Sequence, residues 1–269
     1  MYVLTLDCPE SEAEILSAEL WDHGATGILE ESPLPSKCRL KAWFADPDGL
    51  LDRFKPFSPT LAVEIPRDWE AEVRQAWQPF CVGNHLYLAP EWDESPAPSG
   101  RRRLTVHPGL ALGTGAHPAT QLALLAMEEF GVEDARIIDV GTGSGILAAA
   151  AGLLGASLAV GCDIDADSAA IAHRNLLADC LPPRVFTGSL RSVATGAFDV
   201  LVANINAETH AMLAADYARV ARRAAIVSGY QSRDEERVAR AMTTHGFLPA
   251  GRHEIDDWVC LVLCKEETS

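Results

Sequence analysis

The stretch of sequence that decides the fold is IIDVGTGSG, residues 137–145. Its apolar first part has the composition of a buried strand, and it runs into a turn with glycine at alternate positions, Gly141, Gly143 and Gly145. A glycine-rich turn of this kind lets a strand pass into a helix while a ligand lies against the backbone. The stretch therefore predicts an α/β domain with a ligand-binding turn, although such a turn can also be purely structural.

Three classes of ligand compete for this turn. A dinucleotide site of the form G-x-G-x-x-G needs its third glycine at position 146, where this chain has Ile146. A P-loop needs a Gly-Lys-Ser/Thr ending, and no lysine is near the turn. The remaining pattern, G-x-G-x-G, suits a nucleoside that lacks a pyrophosphate, such as S-adenosyl-L-methionine. In this interpretation Gly141, Gly143 and Gly145 carry the backbone close past the cofactor.

Asp163 supports an adenosine-bearing cofactor. It ends the next strand-like run, LAVGCD, 22 positions after Gly141. In doubly wound folds an acidic residue about 20 positions after the glycine turn binds the ribose hydroxyls. A carboxylate at the end of a strand only accepts hydrogen bonds, which suits a diol. Asp165 is instead predicted to cap the helix that follows, at 167–179.

Asn204 is the candidate catalytic residue. It ends the run VLVAN (200–204), so the fold would place it on the same rim of the sheet as Gly141 and Asp163. Its carboxamide could accept a hydrogen bond from an incoming amine and align the nitrogen lone pair with a sulfonium methyl, a gain that is mainly proximity and orientation. The alternative is that Asn204 caps the helix predicted at 207–220.

Strands alternate with longer helices from about residue 101, which predicts a doubly wound parallel sheet. The last two strand-like runs, FLPAGRHEI and WVCLVLC, are joined only by Asp256 and Asp257. Two residues permit a hairpin but no crossover, so the final strand must be antiparallel. This is the plan of class I (Rossmann-like) methyltransferases, whereas dinucleotide domains normally end on a parallel strand. The predicted helices are 118–130, 144–154, 167–179, 207–220 and 233–245.

The first 65 residues have a different pattern. Strand and helix signals in the order β-α-β-β-α-β predict a small ferredoxin-like α+β domain at 1–65. Residues 66–100 are predicted to be a linker made of a helix (DWEAEVRQAW), a strand (FCVGNHLYLAP) and a proline-rich acidic loop. The methyltransferase domain then occupies 101–269.

Composition limits the partners. The chain has 269 residues and a net charge of −16, and residues 1–100 alone carry 18 acidic against 7 basic side chains. Phosphate backbones repel such a surface, so we expect no direct nucleic-acid binding and instead a basic partner.

The chain lacks a long apolar run and an evident secretion signal, and its seven cysteines are scattered without a CxxC pair. We therefore expect a cytoplasmic protein without a membrane span, disulfide or metal.

The quoted motifs together resemble the ribosomal protein L11 methyltransferases. The resemblance extends from HGATGILEE and DWEAEVRQAW near the N-terminus through GLALGTGAHPATQLAL to IIDVGTGSGILAAAAGLLGA, GCDID and VLVANI. It implies an enzyme that methylates the N-terminal α-amine and lysine ε-amines of L11. We expect the enzyme to be a monomer with this basic ribosomal protein as its partner. It also implies cofactor contacts at Thr120, Gly141, Asp163 and Asn204, with the Thr120 hydroxyl reaching the methionine end.

Two alternatives remain open at this stage. One is a methyltransferase for another protein or for a small amine. The other is a non-catalytic module that binds the cofactor and docks a basic partner, in which Asn204 would have no chemical role. A nicotinamide dehydrogenase is disfavoured by Ile146 and by the final hairpin.

Overall fold

A computed structural model describes residues 1–34, 37–63, 77–107 and 115–265. The chain divides into two compact units, Met1–Ala76 and Trp77–Ser269. The helix predicted from DWEAEVRQAW lies outside the described residues except for Trp77, whose ring packs against Phe80 with their centroids 5.5 Å apart.

The first unit is a four-stranded antiparallel sheet with helices. Its strands have the order β2-β3-β1-β4, the arrangement of a ferredoxin-like fold. In chain order its elements are β1 (Tyr2–Pro9), α1 (Ala13–Asp22), β2 (Gly27–Leu34), β3 (Lys37–Phe44), α2 (Leu50–Arg53) and β4 (Thr60–Val63). Every second side chain of β1 and β3 is buried, and Leu16 and Leu20 of α1, four residues apart, join the same core.

The second unit begins with a three-stranded sheet made of β5 (Phe80–Val82), β6 (Leu86–Pro90) and β7 (Arg102–Val106). The single strand predicted from FCVGNHLYLAP is wrong, because the chain turns back between β5 and β6. Gly83 has a φ of 56°, and the carboxylate of Glu128 accepts hydrogen bonds from the backbone N–H groups of Asn84 and His85. The local signal was the short link Gly83-Asn84-His85, since a glycine-containing link between two strand-like runs predicts a hairpin.

The main sheet of the second unit has seven strands in the order β10-β9-β8-β11-β12-β14-β13. Its strands are β8 (Arg136–Val140), β9 (Leu158–Asp163), β10 (Val185–Thr187), β11 (Phe198–Asn204), β12 (Ala221–Gln231), β13 (Phe247–Ile255) and β14 (Trp258–Lys265). Its helices are α3 (Pro118–Phe130), α4 (Ile146–Leu153), α5 (Ala166–Ala178), α6 (Ala207–Val220) and α7 (Glu235–Thr244). The predicted doubly wound α/β class is confirmed.

The antiparallel end of the sheet is also confirmed. Strand β14 runs antiparallel to both β12 and β13. Asp256 and Asp257 between β13 and β14 have φ values of 47° and 68°. Positive φ at both central positions is the geometry of the two-residue hairpin turn that matches strand twist, and Asp tolerates it better than most residues.

The sheet is buried on both faces. Successive residues of its central strands join different cores: Ile137 packs with α3 and α4, whereas Ile138 packs with α6. Near-continuous apolar strands such as RIIDV are what a parallel sheet covered on two sides requires. Within the described residues, none of the helices has the length and apolar character needed to cross a membrane.

Candidate active site

The candidate site lies at the point where the strand order of the main sheet reverses. From β8 the chain moves outward to β9 and β10, and it then returns to β11 on the other side of β8. Val140 near the end of β8 pairs with Cys162 of β9 and with Ala203 of β11. The carboxyl ends of these three strands therefore form one rim, and open α/β sheets bind their ligands at such a switch point.

The glycine turn is tied to the neighbouring strand. The backbone N–H groups of Gly141 and Thr142 donate to the carbonyl of Cys162 at 2.9 and 3.1 Å. Gly141 has a φ of 70°, and a Cβ placed on it would lie 2.7 Å from the Ile205 side chain. Gly145 also has positive φ and closely approaches Ala172 of α5. Packing alone therefore requires glycine at both positions, and other residues must identify the ligand.

Asp163 is held against this turn. One carboxylate oxygen accepts the backbone N–H of Gly143 at 3.1 Å, and the other accepts that of Asp165 at 3.0 Å. Each oxygen has a second lone pair, so the carboxylate can still accept hydrogen bonds from a diol. The Asp165 side chain accepts from Asp167 and Ser168 and caps α5, as its sequence position predicts.

Asn204 and Thr120 meet on the same rim. The Asn204 side-chain amide donates to the Thr120 hydroxyl at 3.0 Å. Because the nitrogen is engaged in this way, the oxygen is the atom of the carboxamide that can accept a hydrogen bond from an incoming group. Thr120 lies in the first turn of α3 and is 1% exposed. Asn204 does not cap α6, because that role belongs to Asn206, which accepts the Thr209 N–H at 2.9 Å.

Sequence reasoning missed Asp139, a buried carboxylate two residues before the first glycine. One oxygen accepts from the Thr142 hydroxyl at 2.7 Å and from the Ala148 N–H at 3.2 Å. The other has no hydrogen-bond partner among the described residues. Burial raises the pKa of Asp139 to about 7. The available signal was an acid inside the apolar strand RIIDV, since a buried charge is rare without a role.

Two carboxylates at this turn bear on the kind of ligand. A pyrophosphate would be repelled by Asp163, whereas a nucleoside carrying sulfonium and ammonium charges would be attracted to it and would favour the ionised form of Asp139. A cationic adenosine cofactor therefore fits the residues present. Among the described residues, His, Cys, Asp and Glu form no cluster of three or more that could hold a metal ion.

Ile164 is a second residue that the sequence reasoning missed. It directly follows Asp163 and is 81% exposed, the highest value among the exposed large apolar side chains of the described residues. Because it is exposed next to the ribose-binding candidate, we expect it to face the base of a bound nucleoside. The available signal was an isoleucine between two acidic residues, where solvent exposure would otherwise favour a polar side chain.

His117 directly precedes α3 and has a structural role. Its ring accepts the Ala119 N–H at 3.2 Å and so caps α3. The same ring packs edge-on against Trp258, with 4.4 Å between the centroids. Both contacts fix the start of α3, and with it the position of Thr120.

Comparison with known proteins gives matches over most of the chain. The family model described as ribosomal protein L11 methyltransferase (PrmA) matches residues 52–266. A ribosomal protein L11 methyltransferase of Geobacter sulfurreducens is 37% identical over 213 residues, covering 78% of this chain and 70% of that protein. The one from Geobacter metallireducens is 34% identical over 260 residues, covering 90% of this chain and 85% of that protein.

A solved structure is similar as well. The crystal structure of a ribosomal protein L11 methylase from Lactobacillus delbrueckii subsp. bulgaricus matches 71% of this chain and 100% of its own, with 29% sequence identity and a TM-score of 0.66. The family model covers most of the chain, and its match includes the glycine turn, Asp163 and Asn204. This chain belongs to the ribosomal protein L11 methyltransferase family.

Proposed function

We propose that this enzyme transfers methyl groups to amines of ribosomal protein L11, namely the N-terminal α-amine and lysine ε-amines. The observation that carries the proposal is the Asn204 carboxamide, which lies on the same rim as Asp163 and the glycine turn and is oriented by Thr120. Family membership supports the enzyme class, and the names of the relatives support the substrate.

The methyl donor is S-adenosyl-L-methionine. Asp163 would hold the ribose hydroxyls, Ile164 would face the adenine, and the turn at 141–145 would pass beside the nucleoside. When bound, the cofactor supplies an electrophilic methyl on a sulfonium. Asp139 contacts the turn through Thr142 and its pKa is raised to about 7, so a bound cation would favour its ionised form.

Asn204 would act on the substrate. Its amide oxygen accepts a hydrogen bond from the incoming amine and so directs the nitrogen lone pair towards the methyl. A thioether is a good leaving group, so the contribution of the protein is orientation of a deprotonated amine in a near-attack geometry. The carboxamide does not titrate near neutral pH, so the rate should follow the deprotonated fraction of the amine.

We assign recognition of L11 to residues 1–65 and catalysis to residues 101–269. Of the segment 66–100 predicted as a linker, the strands β5 and β6 belong to the second unit, where they form a sheet with β7. The strong acidic excess of residues 1–100 supports electrostatic attraction of a basic protein and disfavours direct contact with nucleic acid. We further propose that the enzyme acts as a monomer in the cytoplasm, where ribosomal proteins are made.

The test is mass spectrometry of large-subunit proteins from cells that lack this chain. We expect L11 without its methyl groups, and methylation restored by the parent gene but not by Asn204→Ala. Purified enzyme should also transfer label from S-adenosylmethionine to purified L11. Fully methylated L11 in the deletion strain, or label that goes only to a panel of small amines, would refute the substrate assignment.

A further inference from the structure

A buried histidine lies behind the active-site rim and has no part in the chemistry described so far. His210 of α6 is 0% exposed, yet both of its ring nitrogens have partners. Nε2 lies 2.8 Å from the Ser228 carbonyl oxygen, and Nδ1 lies 3.2 Å from the Tyr217 hydroxyl. Burial lowers the pKa of His210 to about 4, so the ring is neutral at physiological pH.

These partners define the direction of the hydrogen bonds. A carbonyl oxygen only accepts, so Nε2 must carry the single proton of the neutral ring. Nδ1 is then the acceptor, and the Tyr217 hydroxyl donates to it. Tyr217 therefore fixes the tautomer and the orientation of the ring that donates to the Ser228 carbonyl.

Ser228 of β12 connects this histidine to the catalytic rim. Its carbonyl also accepts the backbone N–H of Ile205 at 3.0 Å. Ile205 is the residue directly after Asn204. Its hydroxyl lies 2.9 Å from the carbonyl oxygen of Ala119 in α3. Ala119 precedes Thr120, which accepts the Asn204 amide. The Asn204 side chain is held at its own backbone and by the Thr120 hydroxyl. Ser228 hydrogen-bonds to the neighbour of each, Ile205 and Ala119.

We propose that His210 and Ser228 are positioning residues that set the Asn204 carboxamide for methyl transfer, with Tyr217 orienting the imidazole. The inference rests on the proposed role of Asn204 in that reaction. Displacements well below 1 Å matter here, because misplacement of a reacting group by about 1 Å can cost roughly 100-fold in rate.

Two tyrosines provide a matched pair of variants. Tyr217 and Tyr230 both pack edge-on against the imidazole, with centroids 6.0 and 5.6 Å from it. Only the Tyr217 hydroxyl contacts a ring nitrogen, whereas the Tyr230 hydroxyl has no hydrogen-bond partner among the described residues. Tyr217→Phe therefore releases the ring, and Tyr230→Phe changes a similar buried phenol without affecting it.

The experiment measures kcat on L11, the Kd for S-adenosylhomocysteine and the Tm. We expect Tyr217→Phe to lower kcat about 10-fold while the Kd changes less than twofold, and Tyr230→Phe to leave both unchanged.

His210→Gln should keep most of the activity, because its amide can replace Nε2–H, and His210→Leu should not. In an Asn204→Ala background, Tyr217→Phe should cause no further loss. Equal kcat in the two tyrosine variants, or an independent loss in that background, would refute the proposal.

A second measurement does not depend on turnover. The side-chain amide resonances of Asn204 can be identified in a ¹H–¹⁵N spectrum by their absence in Asn204→Ala. They should shift in Tyr217→Phe and stay in place in Tyr230→Phe, and unmoved resonances in both variants would overturn the inference. If the parent enzyme has no activity on L11, the proposed function fails, while the amide shifts still decide the role of His210.

Discussion

The side-chain amide nitrogen of Asn204 donates to the hydroxyl of Thr120 at 3.0 Å, across 84 positions of sequence. An amide held by its nitrogen presents its oxygen in a fixed direction, and the oxygen is the atom that an incoming amine needs. Thr120 is buried, so this hydrogen bond is shielded from competing water. We therefore expect Thr120 to act on the substrate side of the site as well as on the cofactor.

Replacement of Thr120 separates these two roles. Thr120→Val keeps the shape of the side chain but removes the acceptor, and a lost hydrogen bond of about 1–1.5 kcal/mol predicts roughly a 10-fold lower kcat. Thr120→Ser keeps the hydroxyl and should retain most of the activity. Steady-state rates and calorimetric Kd values for S-adenosylhomocysteine measure the two effects. If Thr120→Val weakens cofactor binding more than it lowers kcat, the hydroxyl acts mainly on the methionine end of the cofactor.

Asp163 and Asp165 provide a second comparison, because they are neighbouring carboxylates with different partners. Asp163→Asn should weaken S-adenosylhomocysteine binding about 100-fold, since two hydrogen bonds between a charged group and the ribose contribute roughly 3 kcal/mol in total. Asp165→Asn alters only the cap of α5, so it should cost a little stability and leave the Kd within about twofold. Equal Kd values for the two variants would show that Asp163 does not hold the ribose.

Sequence alone could predict the residues that end strands. Asp163 and Asn204 each follow an apolar run, and parallel strands bring such ends to one rim. It could not predict how Asn204 is oriented, because the partner Thr120 belongs to a distant helix. It also missed Asp139, since a polar residue inside a strand has no periodic signature. The break between β5 and β6 was missed although Gly83-Asn84 is a local turn signal, and Glu128, more than 40 residues away, only adds hydrogen bonds to that turn.

Asp139 predicts a pH dependence of stability and of binding. Its pKa is raised by burial from 3.8 to about 7, so the folded state holds a proton that the unfolded state releases. The free energy of unfolding should therefore fall as the pH rises from about 4 to 7, and Asp139→Asn should lack this fall. Urea denaturation of both proteins across this pH range measures the difference.

The same carboxyl should release a proton when a cationic cofactor binds. Titration calorimetry of S-adenosylmethionine at pH 6.5, in two buffers of different ionisation enthalpy, counts the protons. We expect release by the parent and by Asp165→Asn, and none by Asp139→Asn. Equal proton release by all three proteins would mean that Asp139 does not respond to the bound charge.

His107 should make the free energy of unfolding depend on pH, because two carboxylates contact its ring. Its Nε2 lies 3.0 Å from a carboxylate oxygen of Asp179, and its Nδ1 lies 2.9 Å from one of Glu91. Both nitrogens can donate only when the ring is protonated. The hydrogen bond with Asp179, followed by that with Glu91, raises the pKa of His107 above 6.5.

A raised histidine pKa stabilises the fold below the unfolded value near 6.5, and this stabilisation is lost as the pH rises through the higher folded value. His107→Gln should therefore lower the free energy of unfolding by on the order of 1 kcal/mol at pH 6 and by less at pH 9.

Asp179→Asn should have a larger effect than Glu91→Gln, because Asp179 is mostly buried and Glu91 is 55% exposed. His173→Gln, at an exposed position of α5, is the control for the replacement of a histidine. If the stability difference between the parent and His107→Gln is constant from pH 6 to 9, the ring is neutral in the folded protein and holds only one of the two carboxylates.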